Sequence, residues 1–204
     1  MNKQIDYWFP TLIYRTTLDE FQEQNKYLER KAYSLQSIKP TVATGWNCDT
    51  YNTLDLYSAF TDHDTVVKKL IDICKDRVFQ FSQEFGMTKS IEQLQCIDFW
   101  FNIARPGNFQ ECHQHPNSHF SLVYYVKTEK KCGNIVFKSP TAFLDMFPLS
   151  VNAKNLNKIS YPACWYEPEN SMLLIFRSNL IHMVEKNNSS DDRISISMNF
   201  KFND

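Results

Sequence analysis

Glu111-Cys112-His113-Gln114-His115-Pro116 places two histidines two residues apart at the edge of a strand-like run. In extended backbone, residues i and i+2 point to the same side. His113 and His115 can therefore hold one metal ion between their imidazoles. Two imidazoles hold a metal incompletely, so a third ligand must come from elsewhere, with positions left for water or substrate. The best candidate is His182, in Ile181-His182-Met183-Val184. Beyond it the run from Arg193 to Phe200 alternates without a break. Arg193, Ser195, Ser197 and Asn199 share one face; Ile194, Ile196, Met198 and Phe200 share the other. Such a strand packs on a core and faces a solvated space. Its arginine is suited to gripping a carboxylate with two parallel hydrogen bonds. Histidine-only ligation suits Fe, Zn, Ni or Cu, and spacing alone does not choose among them.

Other polar residues compete for these roles. His119 can replace or join His115 as a ligand, or sit in the loop. Cys112 points away from the two histidines by alternation and reads as structural. His63 lies beside a helix start and reads as exposed. Asp145 and Glu167 have no fixed relation to the histidine pair and read as solvated carboxylates. A polar loop with chance histidines is the bland reading of the cluster, and the Arg193 strand speaks against it.

The elements that must position these residues fall into two halves. Tyr7 to Tyr14 is apolar and β-prone, with a proline that suits an edge strand. Asp19 to Leu35 has helical spacing, with Phe21, Leu28, Ala32 and Leu35 on one stripe. A firmer helix runs from Asp64 to Phe85 on Val67, Leu70, Ile71, Cys74, Val78, Phe81 and Phe85. Asp62 or Asp64 can cap its start, and Gly86 suits a left-handed C-terminal cap. From Leu94 the texture changes to short strands: Gln95–Ile103, Phe120–Val126, Ile135–Lys138, Tyr161–Trp165, Met172–Phe176, His182–Glu185 and Ile194–Phe202. Two helices followed by about eight strands predict an antiparallel sandwich or jelly roll with helices on one outer face. Residues 1–204 are expected to form one domain, with an N-terminal strand and two supporting helices in 1–90.

Composition removes several function classes. A net charge of −1 and the lack of a basic stripe argue against nucleic acid or an anionic membrane as partner. With only Gly45, Gly86, Gly107 and Gly133, a Gly-rich phosphate loop is excluded. No stretch approaches the roughly 18 apolar residues of a membrane span, and the first residues lack the apolar core of a signal peptide. A cytoplasmic location is expected. The six cysteines contain no CxxC pair and read as thiols, not as a disulfide frame.

The ordered series His113-x-His115, His182 and Arg193-x-Ser195 resembles the metal triad and co-substrate grip of the 2-oxoglutarate- and iron(II)-dependent oxygenases. More narrowly, the chain resembles an uncharacterised oxygenase family of marine bacteria and phages, nearly end to end. The likeness begins at Trp8-Phe9-Pro10-Thr11-Leu12-Ile13-Tyr14 and continues through Gly45-Trp46. It is densest in Trp100-Phe101-Asn102, His113-Gln114-His115-Pro116 and Ser121-Leu122-Val123-Tyr124-Tyr125-Val126. It closes with Leu174-Ile175-Phe176, His182 and Arg193 to Asn199.

The resemblance implies a mainly β, double-stranded β-helix (jelly-roll, cupin-like) fold with iron at its open mouth. It implies His113, His115 and His182 as Fe(II) ligands. Arg193 would bind the distal carboxylate of 2-oxoglutarate, Ser195 would add a hydrogen bond, and Asn102 would touch the co-substrate. The implied activity is hydroxylation of a small molecule or peptide coupled to oxidative decarboxylation of 2-oxoglutarate. This chain departs from the relatives in places. The wider superfamily carries a carboxylate where His115 stands, although the narrower family carries histidine. The narrower family has Ser-Gly at Ser121-Leu122, glycine at Ser171, and Phe-Pro-Ser at Phe176-Arg177-Ser178. Arg177 is thus a second arginine able to compete for an anion, although its surroundings read as a surface strand end.

Two further classes fit parts of the pattern. Gly107, the histidine pair and His119 partly match the first metal motif of cupins. A cupin-type metalloprotein would be a 2-oxoglutarate-independent dioxygenase, an isomerase or a small-molecule binding module. It has no need of Arg193-Ile194-Ser195. A capsid-like or adaptor jelly roll would bind neither metal nor co-substrate.

Overall fold

The computed structural model describes residues 10–40, 50–54, 64–141 and 161–203. The elements are β1 (Ile13–Thr17), α1 (Asn25–Ile38), β2 (Tyr51–Asn52), α2 (Thr65–Gln83), β3 (Leu94–Ala104), β4 (Gln110–His113), β5 (Phe120–Lys127), β6 (Ile135–Lys138), β7 (Ala163–Tyr166), β8 (Met172–Arg177), β9 (His182–Val184) and β10 (Arg193–Phe202). Short 3-10 turns precede α1 at Asp19–Gln24 and β3 at Ile91–Gln93.

The strands form two antiparallel sheets. The larger has the order β1-β8-β5-β10-β3-β2 and the smaller β4-β9-β6-β7. The alternation in β10 divides the molecule as expected. Ile194, Ile196, Met198 and Phe200 join Phe99, Phe101 and Ile103 of β3 in a core under the two helices. Phe21, Leu28, Ala32 and Leu35 reach that core from the N-terminal segment, and Val67, Leu70, Cys74, Val78 and Phe81 reach it from α2. A second core lies between the sheets, where Val123, Tyr125, Leu174 and Phe176 meet Ile135, Phe137 and Leu180. The polar face of β10 is turned the same way, toward the smaller sheet and a cavity.

Asp64 caps α2, accepting hydrogen bonds from Val66 N and Val67 N at 3.1 Å each. Gly86, with φ +69°, turns the chain out of the helix. Asp62 lies outside the described residues, as do Trp8, Phe9 and the Gly45-Trp46 segment.

Three boundaries differ from expectation. β1 begins at Ile13, beyond Pro10, which has no N–H to give a ladder. It does form an edge, pairing Ile13 with Phe176. The helix expected from Asp19 breaks into a 3-10 turn followed by α1. At the junction Asn25 is buried and turned inward, its Oδ1 accepting from Tyr124 Oη at 2.7 Å and its Nδ2 donating to Ser171 Oγ at 3.0 Å. β7 starts at Ala163, leaving Tyr161 outside the strand.

Ser171 stands where the resembling family has glycine, and it adopts a left-handed φ of +66°. That conformation costs an L-residue about 1–2 kcal/mol. The buried hydrogen bond from Asn25 offsets it. Ser171→Ala should keep the strain and leave Asn25 Nδ2 without its partner, lowering stability by about 1–2 kcal/mol. Ser171→Gly should sit closer to the parent, since it relieves the strain. Urea unfolding of both variants checks this, and a Ser171→Ala protein as stable as the parent contradicts it.

Candidate metal and co-substrate site

β4 and β9 are antiparallel neighbours in the smaller sheet, and their register sets His113 directly opposite His182. The chain continues from His113 into the loop that carries His115, whose backbone N–H donates to Ser178 O at 2.9 Å. The three rings converge. Centroids lie 4.2 Å apart for His113 and His182, 5.1 Å for His113 and His115, and 5.2 Å for His115 and His182. One ring nitrogen from each lies within 4.8 Å of the other two.

Hydrogen bonds to carbonyls fix which nitrogens face inward. His113 Nδ1 sits 2.7 Å from Glu111 O, and His182 Nδ1 sits 2.9 Å from Leu180 O. A carbonyl only accepts, so both Nδ1 atoms carry the proton. In a neutral ring Nε2 then keeps its lone pair for a metal. The His115 ring is oriented by packing, with Trp100 at 5.7 Å. Phe176 (4.7 Å) and Phe137 (5.8 Å) flank His182.

Burial keeps these rings neutral. It pushes His182 down to about 3 and His115 down to about 4, with the neighbouring histidines adding to the effect. Burial also lowers His113, opposed by its bond to the Glu111 carbonyl. Neutral imidazoles are the form that ligates metal. In the metal-free protein the unfolded chain binds protons on these rings near pH 6.5, whereas the folded protein does so only at lower pH. Their contribution to stability is therefore full above pH 6.5 and is lost as pH falls toward 4 and 3. The melting temperature of chelated protein should fall across that window, and less steeply in His182→Gln. A parent melting temperature flat from pH 7 to 4 would contradict neutral burial.

A cavity of about 390 Å³ opens beside the triad. The polar face of β10 lines it with Arg193, Ser195, Ser197 and Asn199, and β3 adds Asp98, Trp100 and Asn102. Arg193 is 4% exposed. Its Nη1 donates to Cys132 O at 2.7 Å and Gly133 O at 3.1 Å, and it makes no ion pair with any described carboxylate. Burial opposes its charge, while Tyr125 and Cys132 beside it favour that charge. The turn that supplies those carbonyls needs Gly133. Its φ is +93°, and a Cβ there would collide with the Glu185 carbonyl. Ser195 is buried, and its hydroxyl has no protein partner among the described residues. Asn102 lies across from Ser195 in the ladder and donates to Ser197 Oγ at 3.1 Å.

All six expected site residues thus meet around one cavity. The rival candidates fall away from it. His119 is exposed; its Nδ1 accepts from Phe202 N at 3.0 Å, and its ring is not in the metal cluster. Cys112 is exposed. Arg177 points to the surface over the Phe85 ring at 5.5 Å. Glu167 is exposed, and Asp145 lies outside the described residues. No described carboxylate joins the triad. Sequence reading missed Tyr125, buried in an unbroken apolar run, and the Cys132 and Gly133 carbonyls, because backbone oxygens leave no trace in residue type.

Residues 98–199, half of the chain, match the family described as "Putative 2OG-Fe(II) oxygenase". The chain belongs to this oxygenase family. It is an enzyme that uses Fe(II) and 2-oxoglutarate, and its triad of neutral nitrogen donors fits that metal. No curated protein sequence matches it. Solved structures share its double-stranded β-helix. A Pseudomonas putida prolyl-4-hydroxylase aligns over 95% of this chain and 94% of its own, with TM-score 0.68 and 11% identity. A viral collagen prolyl hydroxylase from Paramecium bursaria Chlorella virus-1, solved with 2-oxoglutarate, covers 92% and 95%, with TM-score 0.56 and 14% identity. HygX from Streptomyces hygroscopicus, with nickel and 2-oxoglutarate bound, covers 94% and 83%, with TM-score 0.60 and 10% identity.

Proposed function

We propose that His113, His115 and His182 hold the Fe(II), and that Arg193, Ser195 and Asn102 hold 2-oxoglutarate. The observation that carries this is a buried arginine with no carboxylate among the described residues, in the same cavity as three converging neutral imidazoles. Burying a cation without a partner is costly, and a dicarboxylate co-substrate supplies the missing anion. A cupin-type site has no use for that arginine.

Each residue then has a physical task. The carbonyls of Glu111 and Leu180 keep Nε2 of His113 and His182 aimed at the metal. Arg193 gives the distal carboxylate a fixed, charge-assisted anchor, which sets the reach of the keto acid end toward the triad. Ser195 offers its hydroxyl to the same carboxylate. Phe137 and Phe176 keep water from the side of His182. Iron held here supplies dioxygen activation and couples decarboxylation of 2-oxoglutarate to oxidation of the substrate. That substrate is a small molecule or a peptide group that fits the cavity.

Residues 1–204 are read as one double-stranded β-helix domain with α1 and α2 as its outer support. Among the described residues no helix is long and apolar enough to cross a membrane. No disulfide joins Cys74, Cys96, Cys112, Cys132 or Cys164, which supports a reducing compartment such as the cytoplasm. Conversion of 2-oxoglutarate to succinate by the iron-loaded protein tests the reading. Slow, iron-dependent succinate formation is expected without any added substrate. Its absence from protein shown to bind both iron and 2-oxoglutarate would count against catalysis.

A further inference from the structure

The cavity has two ends. Arg193 and Asn199 lie six residues apart on one face of β10, roughly 20 Å along an extended strand. The co-substrate residues Arg193 and Ser195 occupy one end. At the other end a single row crosses four strands, from Asp98 through Asn199 and Ser121 to Phe176. The triad stands over this second end, with His182 against Phe176 and His115 against Trp100.

Asp98 is the sole carboxylate among the described residues lining the cavity, and Arg193 the sole lysine or arginine. Its Oδ2 accepts from Asn199 Nδ2 at 2.8 Å. Its Oδ1 has no protein partner among the described residues, and no described cation pairs with it. The carboxylate is thus committed to no ion pair among the described residues. Trp100 is the next residue of β3 to line the cavity and brings an aromatic surface beside it. A half-buried carboxylate next to an indole is suited to a cation, through an ion pair and a cation–π contact.

We propose that Asp98 and Trp100 form the substrate subsite, and that it selects a substrate bearing a cationic nitrogen, an ammonium or a guanidinium. The inference rests on the functional reading above. A free amine and a basic side chain within a peptide share this chemistry.

The test uses the full chain loaded anaerobically with Fe(II) and 2-oxoglutarate, with the visible charge-transfer band recorded first. Calorimetry then compares N-acetyl-L-lysine N-methylamide with its norleucine counterpart, and n-pentylamine with 1-pentanol. Asp98→Asn is run alongside, because an amide oxygen still accepts from Asn199 and only the charge is lost. At least one cationic probe should bind about tenfold or more tightly than its neutral isostere. Asp98→Asn should abolish that preference and keep the band. The blocked pair responding alone marks a peptide substrate, and the free pair alone marks a metabolite. A band with no cation preference, or a preference that survives in Asp98→Asn, overturns the subsite. A missing band with an Asp98-dependent preference overturns the metal reading and keeps the subsite; a missing band with no preference overturns both.

Discussion

Arg193→Met raises the KM for 2-oxoglutarate by about a hundredfold or more and leaves metal affinity unchanged. The size follows from removing one partner of a buried charge pair, which costs about 2–5 kcal/mol. Stability should move differently. In the protein without co-substrate, Arg193 is a buried cation held, among the described residues, by the carbonyls of Cys132 and Gly133 alone. Methionine removes an unfavourable buried charge, while the two carbonyls lose a donor, worth about 1–3 kcal/mol. The two terms oppose each other, so the melting temperature without 2-oxoglutarate should change little. Saturating 2-oxoglutarate should raise it in the parent and not in the variant. Equal KM values, or equal thermal shifts, would remove Arg193 from the co-substrate site.

His182→Ala has the larger effect on the metal. Its ring is the buried member of the triad, opposite His113 in the ladder and between Phe137 and Phe176. Two remaining imidazoles cannot keep iron at working concentrations. Turnover should fall by about a thousandfold or more, and the 2-oxoglutarate band should vanish with the metal. His182→Gln fills most of the space and separates ligand loss from a packing defect. His119→Ala is the contrast. It removes the acceptor for Phe202 N and should lower stability, yet metal content and turnover should stay at parent levels. Iron retained at full occupancy in folded His182→Gln would contradict the assignment.

The legible parts of this protein are those where side-chain chemistry repeats at the backbone's own period. Alternation in β10 separated Arg193, Ser195, Ser197 and Asn199 from the apolar face, and that division is the boundary between cavity and core. The α2 stripe and its Asp64 cap were legible for the same reason. The spacing of His113 and His115 announced a metal. That His182 is their neighbour comes from strand pairing far apart in sequence; the sequence offered it as the best third candidate, and the resemblance to the oxygenases supported that choice. Other features were not legible. The break before α1 depends on Asn25 finding Tyr124 and Ser171, both distant in the chain. His119 resembles a ligand by position, but its acceptor role toward Phe202 shows only once β10 lies beside it. Asp98 reads as one more polar residue on an alternating strand until the cavity shows how few charges surround it.

The central claim is that one cavity holds iron on three histidines and 2-oxoglutarate on Arg193. Anaerobic titration of the iron-loaded protein with 2-oxoglutarate, followed in the visible, tests it most directly. A saturable metal-to-ligand charge-transfer band is expected in the parent, absent in His182→Gln and shifted to about hundredfold higher 2-oxoglutarate in Arg193→Met. Iron that binds the parent without giving any band would contradict the account and place the chain with the cupin-type metalloproteins.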